Sequence, residues 1–485
     1  MQVFEEVISP LTMLGDRLGN KPDDVMLASY EDWWASEGQP VSETVDRAGT
    51  PWLRMFDRAG RRIDEVCFPS GYWGMLFRGY SEGIVSRVFE QNSLLPFYRI
   101  GYITAFHDPG LYCPYTVSLA TAVALEKYGS DALRSRFLPH LLRNDDALWQ
   151  GATWMTEIKG GSDLGATVET SARQQGACWW LSGDKYFASN IGAELAVVAA
   201  RPEGAPRGVR GLTLFLLPRL RENGELNYTV RRIKDKIGTR SVPTGEVELR
   251  DSVAWLLGKR EQGVYLILEI LNISRVANSV ASVALAQRAL AEATVFARQR
   301  QAFGKAIIEH PLLQQQFRER YHDLQAAMAL ACKAAWMLDQ VWRQRPPYDE
   351  QYYLFRLFAH LAKYWTAEFA AQTCKWAMEV HGGLGVLAEY PVERWFREAM
   401  ILSIWEGTAH RQILDGMEVI QRKAAHKGLF ESLHPGADPR ALTQLEDRVE
   451  RYLGLAEAEQ ELQAADLFHE LARYSAEIFL RQSLG

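Results

Sequence analysis

Hydrophobic and polar positions change rhythm along the chain. From Gly263 onward the period is helical. Leu313, Phe317, Tyr321, Leu324 and Met328 recur at spacings of four, four, three and four, which lines up one face of a long helix. Pro311 stands at its start, where a missing N–H costs little. A second helical stretch runs from about Asp349 to Val380 and stops at His-Gly-Gly-Leu-Gly, and a third begins near Glu406. The charged, proline-broken stretch Ser432–Pro439 reads as a linker, and Leu442, Leu445, Val449 and Leu453 then open a final helical pair.

Between Trp149 and Gly258 the texture is different. The runs CWWLSG, ELAVVAA, LTLFLL, YTVRRI and GEVELR are short, β-rich and separated by Gly, Asn and Pro. Strands at this spacing without helices between them predict an antiparallel sheet or barrel, not βαβ units, so a Rossmann fold is disfavoured. The first ~150 residues are aromatic and irregular, with helical patches. Leu53–Cys67 predicts a small hairpin about Ala59-Gly60, and Thr116–Lys127 a helix apolar on most faces and therefore buried. The expected class is multidomain α+β. An N-terminal helical domain with the hairpin spans 1–148 and an antiparallel β-barrel-like domain 149–258. A helical bundle spans 259–430 and an extra C-terminal helical domain 431–485.

Composition narrows the function classes. Of 485 residues, 47% are apolar and 24% charged, as in ordinary globular chains. A net charge of −6 gives no general reason to bind polyanions. The five cysteines, Cys67, Cys113, Cys178, Cys332 and Cys374, are scattered, so neither a disulfide framework nor a zinc site is expected, and no metal is. The N-terminal residues lack a basic segment followed by an apolar run. No stretch of ~18 uninterrupted apolar residues occurs, and Val264–Ala286 is broken by Glu269 and Arg275. A soluble cytoplasmic protein without membrane insertion is expected.

Four segments carry groups suited to chemistry. Met155–Asp163 (MTEIKGGSD) ends an apolar strand with small hydroxyls and a Gly pair, able to approach a heterocycle or a phosphate; it also reads as an ordinary Gly turn. Arg298–Lys305 (RQRQAFGK) offers a guanidinium and an apolar wall for a pyrophosphate, or simply a cationic helix end with a Gly cap. Glu379–Gly385 (EVHGGLG) exposes N–H groups after a helix, or merely stops it. Ser403–Gln412 (SIWEGTAHRQ) holds Glu406 among apolar neighbours at a helix start. Such a carboxylate has raised proton affinity and suits proton abstraction, although a dipole-stabilised N-terminal carboxylate has the same pattern.

Together, in this order, the segments resemble the acyl-CoA dehydrogenase superfamily over roughly Cys113 to Lys423. Its pattern is a TEPGAGSD-like loop, a KxWITN-like strand, RxxFG, QxxGGxG and a (Y/W)EGT loop. This chain has TEIKGGSD, DKYFASN (Asp184–Asn190), RQAFG (Arg300–Gly304), EVHGGLG and WEGT. The segments AGRRIDEVCFP, GLYCPYTVSLAT, DKIGTRS and VAWLLG, with helices after Lys423, are similar to the branch of the alkylation-response protein AidB.

The resemblance implies FAD, bound between the β domain and the helical bundle, and a homotetramer built as a dimer of dimers. By position, Met155, Thr156, Gly161 and Ser162 would contact the flavin ring or the phosphates, and Phe187 and Ser189 would pack on the ring and hydrogen-bond it. Arg300 and Phe303 would hold the pyrophosphate and adenine of a neighbouring subunit's FAD. Glu379, Gly382 and Gly383 would line the other side, with Thr408 and His410 following the catalytic loop toward the cofactor. Glu406 would be the base, taking the α-proton of an acyl thioester while hydride leaves the β-carbon for flavin N5. The thioester oxygen would be held by the base's own N–H and the ribityl chain. Arg275 would help grip the acyl-CoA. Three positions depart from the family: Glu379 stands for its Gln, Asn272 for its Asp, and His410 for its Gln or Asn. The electron acceptor is not indicated.

Two rival functions follow from the same residues: a flavoprotein that binds DNA and shields it from alkylation, and a flavin-dependent oxidase or hydroxylase of a metabolite. DNA binding requires cations that neutralise phosphates. Glu431–Gly485 carries eleven acidic and five basic residues, and the rest of the chain balances to zero. The whole negative excess thus sits in the segment that would face DNA, which disfavours nucleic acid as a partner.

Overall fold

The computed structural model describes residues 6–19 and 24–484. They form two compact units. One takes the described residues up to Glu31, Leu94–Phe106 and Arg275 onward; the other takes Asp32–Ser93 and His107–Ser274.

Helices α1 (Pro10–Leu14), α2 (Asp24–Trp33) and α3 (Gln39–Ala48) come first. The expected hairpin follows as β1 (Trp52–Phe56) and β2 (Arg62–Cys67), antiparallel, with Gly60 at φ 77° in its turn. Then come α4 (Tyr72–Ser81), α5 (Ser86–Glu90), α6 (Leu95–His107), α7 (Pro109–Tyr128) and α8 (Asp131–Leu141). Helix α7 is buried almost throughout and begins well before Thr116. Gly110 and Pro114 obscure that start in the sequence, but Asp108 supplies it. Its Oδ1 accepts the N–H of Leu111 at 2.9 Å, and Pro109 takes the first helical position. The same carboxylate, fully buried, accepts the Ser42 hydroxyl at 2.8 Å and the Ser241 hydroxyl at 2.9 Å. One side chain therefore ties α3, the start of α7 and the Ser241 loop together.

The β unit is a closed barrel. Its strands are β3 (Gly151–Trp154), β4 (Ser171–Gln175), β5 (Cys178–Ser189), β6 (Leu195–Pro202), β7 (Thr213–Pro218), β8 (Thr229–Ile233) and β9 (Thr244–Leu257), with the short helix α9 (Leu164–Thr167) before β4. The ring runs β6, β4, β5, β9, β7 and back to β6, while β3 joins β6 and β8 joins β9. Two pairings depart from the antiparallel expectation: β6 is parallel to both β3 and β4. The chain crosses over through the α9 segment after β3, and turns back once between β4 and β5, so β6 returns in their direction. No helix long enough for a βαβ unit is needed, which is why the strand runs in sequence look antiparallel throughout. Trp154, Trp179, Leu181, Val198, Phe215 and Val247 fill the interior.

Strand β5 carries two register shifts against β9, one of them between Lys185 and Ala188. Inward positions change there from Leu181 and Lys185 to Ala188, so Phe187 is turned outward and is 53% exposed. Lys185 itself is buried. Its Nζ donates to Glu157 Oε1 at 2.7 Å and to the Ala199 carbonyl at 2.7 Å. Glu157 also accepts the N–H groups of Glu169 and Thr170 and the Thr170 hydroxyl. Burial alone pushes the Glu157 carboxyl up, but Lys185 and these donors bring it below its ordinary value. The pair anchors the 155–163 loop to the barrel.

Beyond the barrel run α10 (Gly263–Gln299), the two-residue strands β10 (Gln301–Ala302) and β11 (Lys305–Ala306), α11 (Pro311–Val341), α12 (Glu350–His381), α13 (Val392–Ile404), α14 (Ala409–Lys423), α15 (His426–Leu433), α16 (Pro439–Leu453) and α17 (Glu457–Leu484). The predicted face of α11 holds: Phe317, Leu324 and Met328 are buried. Asp349 caps α12 by accepting the Tyr352 N–H at 2.9 Å. Helix α10 contains a stretch apolar and long enough to cross a membrane, but 89% of that stretch is buried inside the protein. Helix α12 packs against α11, α13 and α14, and α17 packs on α11, α12 and α14. Residues 431–484 thus lie in the same compact unit as the bundle helices.

Two substitutions test these anchors. Asp108→Ala removes a helix cap and leaves two buried hydroxyls without their acceptor, and should cost about 2–4 kcal/mol in urea unfolding. Lys185→Met strands a buried carboxylate and should cost about 3–5 kcal/mol, whereas adding Glu157→Gln should recover part of that loss.

Candidate active site

The turn between α13 and α14 carries Glu406. Trp405 caps α13 in an extended conformation and Thr408 caps α14, leaving two residues to reverse the chain. Both adopt the left-handed region, Glu406 at φ 57° and Gly407 at φ 101°. Glycine is required at 407: besides the angle, a Cβ there would lie 2.6 Å from Gln412 Nε2. At Glu406 the same region is strained by about 1–3 kcal/mol and must be held by its surroundings.

Four side chains hold it. Arg275 Nε, from α10, donates to the Glu406 carbonyl at 3.3 Å. Gln412 Nε2 donates to the carbonyls of Glu406 and Gly407 at 2.9 and 3.1 Å. Lys363 Nζ, from α12, donates to the carbonyls of Gly407 and Ser403 at 2.8 and 3.1 Å. His360 completes the set: its Nδ1 lies 2.9 Å from Gln412 Oε1. Since the Gln412 amide nitrogen is committed to two carbonyls, its oxygen faces the ring, and the Nδ1–H donates to it. Burial lowers His360 to about 3, so the ring is neutral.

The electrostatics of the Glu406 carboxylate follow from burial. Its Oε2 is shielded from solvent and has no hydrogen-bond partner among the described residues. Desolvation raises its proton affinity, and the positive charges of Arg275 and Lys363 offset this only in part. Arg275 is itself buried, its guanidinium pairing with Asp415 at 3.3 Å. Asp415 also accepts from Arg411 Nε at 2.8 Å. Burial pushes the Asp415 carboxyl up, but the Arg275 and Arg411 guanidinium groups help bring it below its ordinary value. This turn presents a half-buried carboxylate with one oxygen shielded from solvent and raised proton affinity.

The other predicted residues fall into separate groups. Thr408 and His410 are exposed at the start of α14. Glu379, exposed near the end of α12, pairs with Lys375, and Gly382 and Gly383 follow it with open space where a Cβ would stand. Arg300 and Phe303 lie on the β10–β11 hairpin, where Phe303 is 96% exposed at φ 52°. On the barrel, the Tyr186 N–H donates to the Thr156 carbonyl at 3.0 Å and Trp154 Nε1 to the Ser189 carbonyl at 3.0 Å. Met155, Thr156, Phe187 and Ser189 are thereby gathered at one end of the barrel. Gly161 is needed against Thr156, whose Oγ1 would lie 2.6 Å from a Cβ there, and Ser162 beside it is exposed. Outward aromatic rings, small-residue loops and an exposed guanidinium are the groups that a flavin and its pyrophosphate require.

Sequence reasoning missed several of these partners. Lys234 Nζ lies 3.2 Å from the Tyr186 ring centroid and 4.8 Å from that of Phe187, held by Glu246 at 2.7 Å. Lys363, His360, Gln412 and Asp415 were also missed. The available signal was His360 and Lys363 interrupting an apolar run on α12.

Comparison with known proteins shows the family of the chain. Residues 152–252 match the family described as acyl-CoA dehydrogenase, middle domain, and residues 261–421 its C-terminal domain, together more than half of the chain. Residues 9–146 match the adaptive response protein AidB N-terminal domain. The chain is 29% identical to AidB of Escherichia coli over 83% of its own length and 76% of that protein. It is similar to the apo-form of Bd2924, with a TM-score of 0.87 at 27% identity, covering 100% of this chain and 97% of that one. It also shares the fold of Caenorhabditis elegans ACDH-11, solved in complex with C11-CoA, with a TM-score of 0.86 at 24% identity over 99% and 86% of the two chains. FAD is the cofactor of the family. The chain belongs to the acyl-CoA dehydrogenase family and carries an AidB-type N-terminal domain.

Proposed function

We propose that the chain is an FAD-dependent acyl-CoA dehydrogenase in which Glu406 removes the α-proton of an acyl thioester. The observation that carries this reading is the Glu406 carboxylate. Its Oε2 is sealed from water, lacks a hydrogen-bond partner among the described residues and has raised proton affinity. A base of this kind matches the acidity of an α-proton better than a solvated carboxylate does. The positive charges of Arg275 and Lys363 favour its ionised form and offset part of the effect of burial.

FAD, when bound, supplies the hydride acceptor. On the barrel, Met155, Thr156, Gly161, Ser162, Phe187 and Ser189 are assigned to its ring and phosphates, and the outward Phe187 ring supplies a flat apolar face. Arg300, Phe303, Glu379, Gly382, Gly383, Thr408 and His410 are assigned to the remainder of the cofactor. The near-complete exposure of Phe303 supports its reaching a neighbouring copy, and hence a homotetramer. Arg275, matched in sequence to the CoA-gripping position, serves here to hold the Glu406 carbonyl, which is a positioning role.

The test is anaerobic titration of the FAD-loaded protein with acyl-CoAs of several chain lengths. At least one should bleach the flavin. Glu406→Gln should slow that bleaching by roughly 10²–10⁴-fold with flavin content unchanged. A flavin that no thioester reduces, or a variant that reduces at the native rate, would refute the reading.

A further inference from the structure

The cation nearest in role to Glu406, apart from Arg275, sits on α12. Lys363 is 1% exposed, yet its ammonium meets no carboxylate within ion-pair distance among the described residues. It instead donates to two backbone carbonyls, at 3.1 Å to Ser403 and 2.8 Å to Gly407. Those carbonyls flank Glu406 on both sides: one belongs to the last turn of α13, the other to the residue before the α14 cap. A buried ammonium without a direct ion pair is costly, and a purely structural donor at this place could be a neutral amide. Gln412 already acts as one, with two bonds to the same turn. What Lys363 adds is charge.

We propose that Lys363 is a positioning residue for the base: it staples the turn that holds Glu406 in the left-handed conformation and places a positive charge beside the carboxylate. This rests on the reading of Glu406 as the base. The charges acting on the ammonium come from each element around it. Glu406 on the turn and Glu368 further along α12 favour its charged form, and Arg275 on α10 opposes it. Arg275 in turn answers to Asp415 and, through it, to Arg411 on α14. From α17, His469 and Asp466 act on the adjoining Tyr364. Burial outweighs the anions and lowers Lys363 to about 7.

The sign of the pH effect follows. Below about pH 7 Lys363 is charged and favours the ionised Glu406. As the pH rises through that value the amine loses its proton, the support weakens, and the proton affinity of Glu406 increases. A neutral amine retains two N–H donors, so the turn stays stapled while the charge is lost. The two groups thus titrate against each other, and by linkage each must shift the other by the same amount.

Two measurements on the FAD-loaded protein without substrate read this directly. In the first, infrared difference spectroscopy follows the carboxyl band that disappears in Glu406→Gln as the pH is raised. Lys363→Met should move its midpoint upward by about one unit or more, and Lys363→Arg, which keeps the charge, should restore most of the shift. In the second, the Lys363 midpoint is followed by NMR of the lysine ε-carbon, assigned by its loss in Lys363→Arg. Glu406→Gln, an isosteric change, should lower that midpoint because it removes the anion that favours the ammonium. This second measurement does not depend on Lys363→Met folding. An unmoved Glu406 midpoint in folded Lys363→Met, or an unmoved lysine midpoint in Glu406→Gln, overturns the proposal. Midpoints that shift in a protein whose flavin no acyl-CoA bleaches would uphold the charge relation and refute only the assignment of Glu406 as base. If thioesters do bleach it, Lys363→Met should lower kcat about tenfold near pH 7 with KM changed less than about twofold; the reverse split would mark Lys363 as a substrate-binding group instead.

Discussion

A carboxylate oxygen shielded from water without a hydrogen-bond partner is unstable unless its surroundings are fixed by other means. Glu406 imposes that constraint on the helical unit. Its Oε2 has no donor among the described residues, so no hydrogen bond on that oxygen keeps the side chain in place. The restraint comes through the backbone instead. Arg275, Gln412 and Lys363 all bond to carbonyls at or beside residue 406, and His360 fixes the orientation of Gln412. Each of these side chains sits on a long helix whose position is set by apolar packing along much of its length. The strained φ of Glu406 is therefore sustained by the bundle, and the carboxylate stays free to exchange a proton.

The same division of labour holds in the barrel. A buried Lys185–Glu157 pair and a register shift in β5 are costs to the strand ladder. They anchor the 155–163 loop and turn Phe187 outward, where a flat ring is of use to a flavin. In both units local rules are broken at the places to which function is assigned, and regular packing elsewhere compensates.

Much of this was legible in the sequence because it depends on local pattern. The hairpin near Ala59-Gly60, the α11 face and the Asp349 start of α12 follow from alternation, period and capping, and so does the run of barrel strands. Glu406 stood out because a charged residue among Ile404, Trp405 and Gly407 is locally anomalous. What surrounds Glu406 was not legible. Lys363 and Gln412 come from different helices, and no short-range pattern shows that their side chains converge on one turn. The parallel pairing of β6 was hidden for the same reason, since direction depends on how the chain crosses over. The start of α7 was missed because Pro114 and Gly110 argue against a helix locally, while the deciding group, Asp108, is held from outside the helix by Ser42 and Ser241.

The central claim is that Glu406 exchanges a proton with the α-carbon of a thioester. Deuterium incorporation tests it most directly. An acyl-CoA without β-hydrogens cannot pass hydride, so incubation in D2O isolates the proton step from oxidation. The FAD-loaded protein should deuterate the α-carbon, and Glu406→Gln should abolish this exchange. Exchange that continues undiminished in that variant would contradict it.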